Sequence, residues 1–319
     1  MSYNKLSHRK PSVASQLWAM IKYELLWNIR KKKFLGVLIA AFIISTLSLT
    51  LPVVLSHMLN RPLESRSDYV ITNSGLGNLM IFLFALVTVM NSISGEFESG
   101  AIVPLLTKPV SRTLVLIGKV IAALTTIFAA YTLLYTYIVI GGTVIYGPQN
   151  NLGIVPICML ADILSTFVWV SLILAISSLS RNTVLTAVTA IIIFLAMHIG
   201  STIISVFSES AWILHYFPGN GASGQLRTGQ FTRNASSIST GTDNISKMIT
   251  QYILNPSANV SYVKIELGSG SQGNLPIVKE IYSEPLSIVL VRALMIATVY
   301  STVLMFIAWY AFKRAQIFE

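Results

Sequence analysis

Charge is scarce in this chain. Only 11% of its 319 residues are Asp, Glu, Lys or Arg, while 54% are hydrophobic. An ordinary soluble domain carries about 25% charged residues, so a water-exposed surface cannot be built from this composition. Cysteine is nearly absent. Cys158 stands alone inside an apolar run, which excludes an intrachain disulfide and leaves the redox compartment undetermined. The four histidines, His8, His57, His198 and His215, are too scattered for metal-ligand spacing, so no metal site is expected. A phosphate-cradling loop is missing as well. Thr113 stands where a Gly-x-x-x-x-Gly-Lys motif ending at Gly118-Lys119 would need its first glycine, so the chain is not expected to hydrolyse ATP itself.

What the chain does have is long apolar runs, at 34–55, 70–93, 120–146, 152–179, 183–207 and 286–312. A bilayer core of about 30 Å needs about 20 such residues per helix. The alternation of a membrane barrel is absent, and backbone amides in lipid must be satisfied within the segment. The expected fold class is therefore all-α integral membrane, with six transmembrane helices. The layout is a cytosolic N-terminus over 1–33, spans one to five over 34–207, an extracellular loop over 208–285, and span six with a short tail over 286–319. Because 33 residues precede it, the first run reads as a retained anchor rather than a cleaved signal.

The net charge of +10 does not imply nucleic acid, because its distribution is that of a membrane protein. Eight of the 22 Lys and Arg residues precede the first run, and Lys108, Arg112, Lys119, Arg181, Lys313 and Arg314 fall on the same side. The short loops opposite contribute only Arg61 and Arg66. The positive-inside rule then places both termini in the cytoplasm, and a plasma-membrane location is expected. Arg30 to Lys33 reads as an anchor on anionic membrane lipids.

Residues 15–33 predict an amphipathic helix on the inner surface, with Trp18, Ile21, Leu25 and Ile29 on one stripe and Glu24, Trp27 and Arg30 off it. The outer loop is rich in Ser, Asn and Gly. It holds three Asn-x-Ser/Thr sequons, at Asn234, Asn244 and Asn259, as candidate glycosylation sites. Within it, 211–217 is apolar but too short to span, as an interfacial or re-entrant helix would be.

Three ionisable residues fall inside the runs, Asp162, His198 and Arg292, and each is a functional hypothesis by default. Counted along their helices they share one layer below the outer face, which suggests a pair between Asp162 and Arg292, an outward-reaching Arg292, or the lining of a substrate path.

The connection between the second and third runs carries the most information. Over 94–112 it holds Glu96, Glu98, Gly100, Leu105, Leu106 and Pro109-Val110-Ser111-Arg112, and it continues to Gly118-Lys119. Physically it reads as acidic residues ahead of a short amphipathic helix, a proline break, then a basic pair. This stretch resembles the signature of the type-2 exporter permeases of ATP-binding-cassette (ABC) transporters, which carry Glu-x-Glu-x-Gly-Thr, Leu-Leu, Pro-Val-Ser-Arg and Gly-Lys. Ala101 replaces the threonine and Pro104 is added. The run Ile21 to Leu25 followed by Arg30 to Phe34 is similar to that family's interface helix.

The resemblance implies a permease subunit coupled through Glu96, Glu98, Gly100, Leu105, Leu106, Pro109 and Arg112 to a separate cytosolic ATPase subunit. That subunit would hold the ATP and Mg. A second permease copy, as homo- or heterodimer, is implied too. From other classes, a secondary transporter and an ATPase-coupled scaffold that moves nothing remain open. An intramembrane enzyme would need a paired-carboxylate or His-Glu-x-x-His constellation, which the chain does not have.

Overall fold

A computed structural model of the protein describes residues 12–60, 67–73, 75–100, 111–227, 236–270 and 273–314. Among these are six helices long and apolar enough to cross a bilayer: Lys32–Met58, Asn78–Glu98, Arg112–Tyr146, Leu152–Ser180, Thr183–Ser205 and Leu286–Arg314. These are spans one to six. Spans two and four form the centre, each 67% buried, whereas spans one and five are 17% buried and span six 22%. The aromatic core at that centre includes Phe82, Phe84, Tyr131, Trp169 and Phe194.

An interface helix, Val13–Arg30, precedes span one; the Ser12 hydroxyl caps it by accepting from the Ser15 amide. Its buried residues are Ile21, Glu24 and Asn28, and Trp18 and Ile29 are 66% and 62% exposed. Of the apolar stripe, Ile21 thus faces the protein while Trp18 and Ile29 do not. At a membrane surface apolar side chains are free to face lipid, while the polar ones seek partners inside the protein. Close approach to span three depends on Gly118, where a Cβ would fall 2.6 Å from Met20 Cγ.

Span one buries only the narrow stripe Phe34, Ala41, Ser45 and Leu49. Pro52 lies inside it and has no N–H for the Ser48 carbonyl four residues back. The Tyr69 hydroxyl makes up the loss, donating to Ser48 O at 2.6 Å, and Tyr146 donates to Leu49 O at 2.9 Å. The second run, expected as one continuous helix over 70–93, is broken. A turn of helix, Tyr69–Asn73, precedes the span, and the described residues 75–77 between them are not helical.

The layer of intramembrane charges also resolves differently from expectation. Asp162 does not pair with Arg292. The fully buried Asp162 Oδ2 accepts from the Leu76 amide at 2.8 Å and from Tyr135 Oη at 2.7 Å, at the break in the second run. Arg292 instead reaches outward to Glu284 in a two-pronged contact, Nη1 to Oε2 at 3.2 Å and Nη2 to Oε1. His198 Nδ1 donates to Phe194 O at 3.0 Å, and its Nε2 lies 3.4 Å from Asp243 Oδ2. Three hydroxyls of span three, Thr125, Thr132 and Thr143, donate to carbonyls one turn back, the ordinary fate of membrane threonines.

The segment between spans five and six adds a small sheet to this helical fold. Strands β1 (Ser223–Arg227), β2 (Ser236–Ser239), β3 (Asn259–Gly270) and β4 (Gly273–Pro285) pair antiparallel in the order β2-β1-β3-β4. With the helix Ile245–Leu254 they close a second core of Leu226, Ile238, Met248, Val260 and Tyr262, which rests on Val168 of span four and Val289 of span six. Ser165 Oγ donates to Thr242 O at 2.6 Å, and Trp169 Nε1 to Asp243 Oδ1 at 2.9 Å. The segment after span five is a 3-10 helix, Glu209–Tyr216, with Trp212, Ile213 and Tyr216 exposed. Of the sequons, Asn234 lies outside the described residues and Asn259 is exposed. Asn244 is 2% exposed and its Nδ2 donates to Asn220 Oδ1. A glycan at Asn244 would have to displace that hydrogen bond.

His215 is buried in this outer domain, with Nδ1 3.1 Å from Thr240 Oγ1 and Nε2 2.7 Å from Tyr282 Oη. Burial, aided by Arg292, pushes its pKa down to about 4. The unfolded imidazole takes its proton near pH 6.5 but the folded one only near 4, so acid favours the unfolded form across that window. The outer domain should therefore lose up to roughly 3 kcal/mol as pH falls from 6.5 towards 4. Hydrogen exchange of β1 to β3 at stepped pH checks this, and His215→Gln should flatten the dependence.

Candidate functional site

Glu96, Glu98 and Arg112 of the 94–112 stretch turn toward the protein, and each meets a different span or its end. Lys119, expected in a loop, is one turn and more inside span three, because that helix begins at Arg112, with Ser111 Oγ accepting from the Leu114 amide. Lys119 is 3% exposed and its Nζ donates to Glu24 Oε1 of the interface helix and to Glu96 Oε1, both at 2.6 Å. A buried ammonium is tolerated only with such partners. Beside this triad, Lys31 Nζ donates to Asn28 Oδ1 at 2.8 Å and to Thr88 O at 3.0 Å. Thr88 O accepts it just before the turn where the helix of span two is interrupted. Burial lowers the Lys31 pKa to about 8; Lys119 adds to that, while Glu24 and Glu96 oppose it. Of the basic run expected on lipid headgroups, Lys31 is thus spent inside the protein. A cavity of about 260 Å³, lined by Tyr23, Trp27, Asn91 and Ser99 among others, borders the triad on a polar side.

Glu98 has a different partner. Its Oε1 accepts from the Thr183 amide at 2.9 Å, satisfying an orphan N–H in the first turn of span five. Asn182 caps the same turn by accepting from the Leu185 amide. Arg112 Nη1 donates to Lys313 O at 2.9 Å and to Phe312 O at 3.4 Å, carbonyls at the end of span six. Arg181, which the sequence reading did not single out, lies 5.5 Å from the centre of the Phe97 ring, and Phe97 meets Phe312 edge to face. The Ser94 amide donates to Ser177 Oγ of span four at 3.0 Å.

Five spans and the interface helix are therefore joined by polar contacts around one connection, that between spans two and three. Gly100, at its start, is exposed with φ +68°. Leu105, Leu106 and Pro109 lie outside the described residues. Sequence reasoning missed Glu24 and Lys119 as a buried pair. The available signal was one acid on an otherwise apolar or basic helix and one lysine flush with an apolar run. Among the described residues, no cluster of three or more His, Cys, Asp or Glu is arranged to hold a metal.

No curated protein matches the chain. The family profile described as ABC-2 family transporter protein matches residues 18–317, from the interface helix through span six. The chain is a multi-pass membrane protein that belongs to the ABC-2 transporter family.

Proposed function

We propose that the chain is the permease subunit of an ATP-driven exporter in the plasma membrane, with both termini cytoplasmic and no catalytic centre of its own. A separate cytosolic ATPase subunit binds ATP and Mg and docks on the 94–112 connection, which includes Leu105, Leu106 and Pro109. The observation that carries this reading is the inner-face network: Lys119 bridging Glu24 and Glu96, with Glu98 and Arg112 holding spans five and six. A force applied at that connection reaches the interface helix and five spans at once, as coupling to an external motor requires. Glu96, Glu98 and Arg112 act here as positioning residues rather than as the docking contacts themselves. The exposed flanks of spans one, five and six offer surface for a second permease copy and for lipid.

The test is co-purification. Leu105→Asp with Leu106→Asp should leave the permease folded and membrane-inserted while abolishing capture of the ATPase subunit and its substrate-stimulated hydrolysis. Unchanged capture and stimulation would place the coupling contact elsewhere. The sidedness is tested separately: Ser237→Cys on β2 should react with an impermeant thiol reagent on intact cells and Ser99→Cys should not. The opposite labelling would invert the topology.

A further inference from the structure

We infer that the chain binds an anionic, phosphate-bearing lipid of the outer leaflet in a slot beside the break in the second run. The site goes beyond the exporter reading and stands whether or not an ATPase subunit docks. The slot has a volume of about 280 Å³. One wall is a single face of span one, where Ala41, Ile44, Ser45, Ser48 and Leu49 recur at helical spacing. At about 1.5 Å per residue that wall runs some 12 Å along the helix. The opposite wall is Gly75, Leu76 and Gly77. Non-helical backbone at membrane depth is tolerated where it lines a cavity or is buried in protein, and both hold here: the Leu76 amide is satisfied by Asp162 behind the wall.

The lining is graded. The inner end is apolar, with Ala41, Met80 and Ile138, and the outer rim is polar, with Thr72, Asn73 and Lys247. That gradient matches an amphiphile lying along the bilayer normal. A second cleft of about 270 Å³ opens on the outer side, and Thr72 and Lys247 line both. Its other walls are hydroxyl- and amide-rich, with Ser236, Ser237, Ser239, Asn244 and Gln251. Lys247 is exposed and makes no ion pair among the described residues. Its ammonium therefore stands where chain-shaped and polar spaces meet, the position of a phosphodiester between an acyl chain and a hydroxylated head.

The test uses the full chain in phosphatidylcholine nanodiscs doped with phosphatidylglycerol that carries a photoactivatable acyl chain. Crosslinks should concentrate on Ile44, Met80 and Ile138, with Ile192, on the exposed flank of span five, as the reference for bulk lipid. Photoactivatable phosphatidylcholine should label the slot several-fold less than the anionic probe. Lys247→Gln should cut slot labelling roughly tenfold while leaving Ile192 unchanged, as loss of one charged hydrogen bond implies. Ser48→Trp should fill the slot and remove the labelling. Equal labelling by both lipids in the unaltered protein would reduce the slot to annular contact and overturn the proposal. Displacement by soluble glycerol phosphate would show a site for free phosphate, not lipid, and crosslinking of Ser48→Cys between copies would show that a second chain covers it; either result also overturns it.

Discussion

Lys119→Met should cost the protein about 3–5 kcal/mol, a large part of the stability of an ordinary domain. The loss does not come from the missing attraction alone. It leaves the Glu24 and Glu96 carboxylates facing one another, with Glu24 only 5% exposed and no cation between them. Thermal unfolding in detergent should show the drop. The companion variant Lys119→Met, Glu24→Gln, Glu96→Gln should recover much of it, because two amides can hydrogen-bond to each other without an unpaired charge. Equal destabilisation of the single and triple variants would mean that packing of the lysine stem, and not its charge, is what matters. The same pair of variants separates folding from coupling. The triple variant should fold but transmit less to the interface helix, so stimulated ATP hydrolysis should fall while the thermal midpoint recovers.

Asp162→Ala should destabilise by about 2–4 kcal/mol, since it strands the Leu76 amide and the Tyr135 hydroxyl in a region with no water to take their place. Asp162→Asn keeps an acceptor oxygen and should cost less. Because Asp162 and Arg292 share no partner, Asp162→Asn and Arg292→Gln should add to within about 0.5 kcal/mol in a double-mutant cycle. Glu284→Gln with Arg292→Gln should not add, since those two groups contact each other directly. A strong coupling in the first cycle would restore the pair that depth along the helices suggests.

The two cycles mark where sequence reasoning succeeds and where it stops. The six spans are legible because lipid demands an unbroken stretch of apolar residues and the chain supplies six. Depth in the membrane is legible for the same reason, but it is one coordinate of three. Asp162 and Arg292 sit at similar depth and point to different partners, and nothing in residue counting reports the angle around the helix. The break at 75–77 was hidden because hydropathy scores side chains, while the break is a matter of which amide bonds to which carboxylate. The interface helix was legible as a helix, but its buried Glu24 and Asn28 were not, since an apolar stripe does not report which polar residues find partners inside the protein. β1 to β4 were missed because the segment is rich in Ser, Asn and Gly and its core is completed by Val168 and Val289 of the spans. The motif residues were legible as important, but their charges, taken for surface contacts, turn out to hold the protein together.

Span four carries a consequence of its own. Its helix, Val155–Ser180, has its proline only at the first turn and no break after it, so it is a stiff rod of about 39 Å. Near its inner end Ser177 holds the Ser94 amide, and further out Ser165 and Trp169 hold Thr242 and Asp243 beneath the sheet. A stiff rod held near one end and at its middle turns as one piece between those points. A displacement of the 94–112 connection should therefore be passed along this helix to Thr242 and Asp243 beneath the sheet. Span one, clasped chiefly by tyrosine hydroxyls near its outer half, is free to lag behind. One wall of the proposed lipid slot is span one and the other, Gly75 to Gly77, is tied to the rod through Leu76 and Asp162, so the slot should change width each time the rod turns.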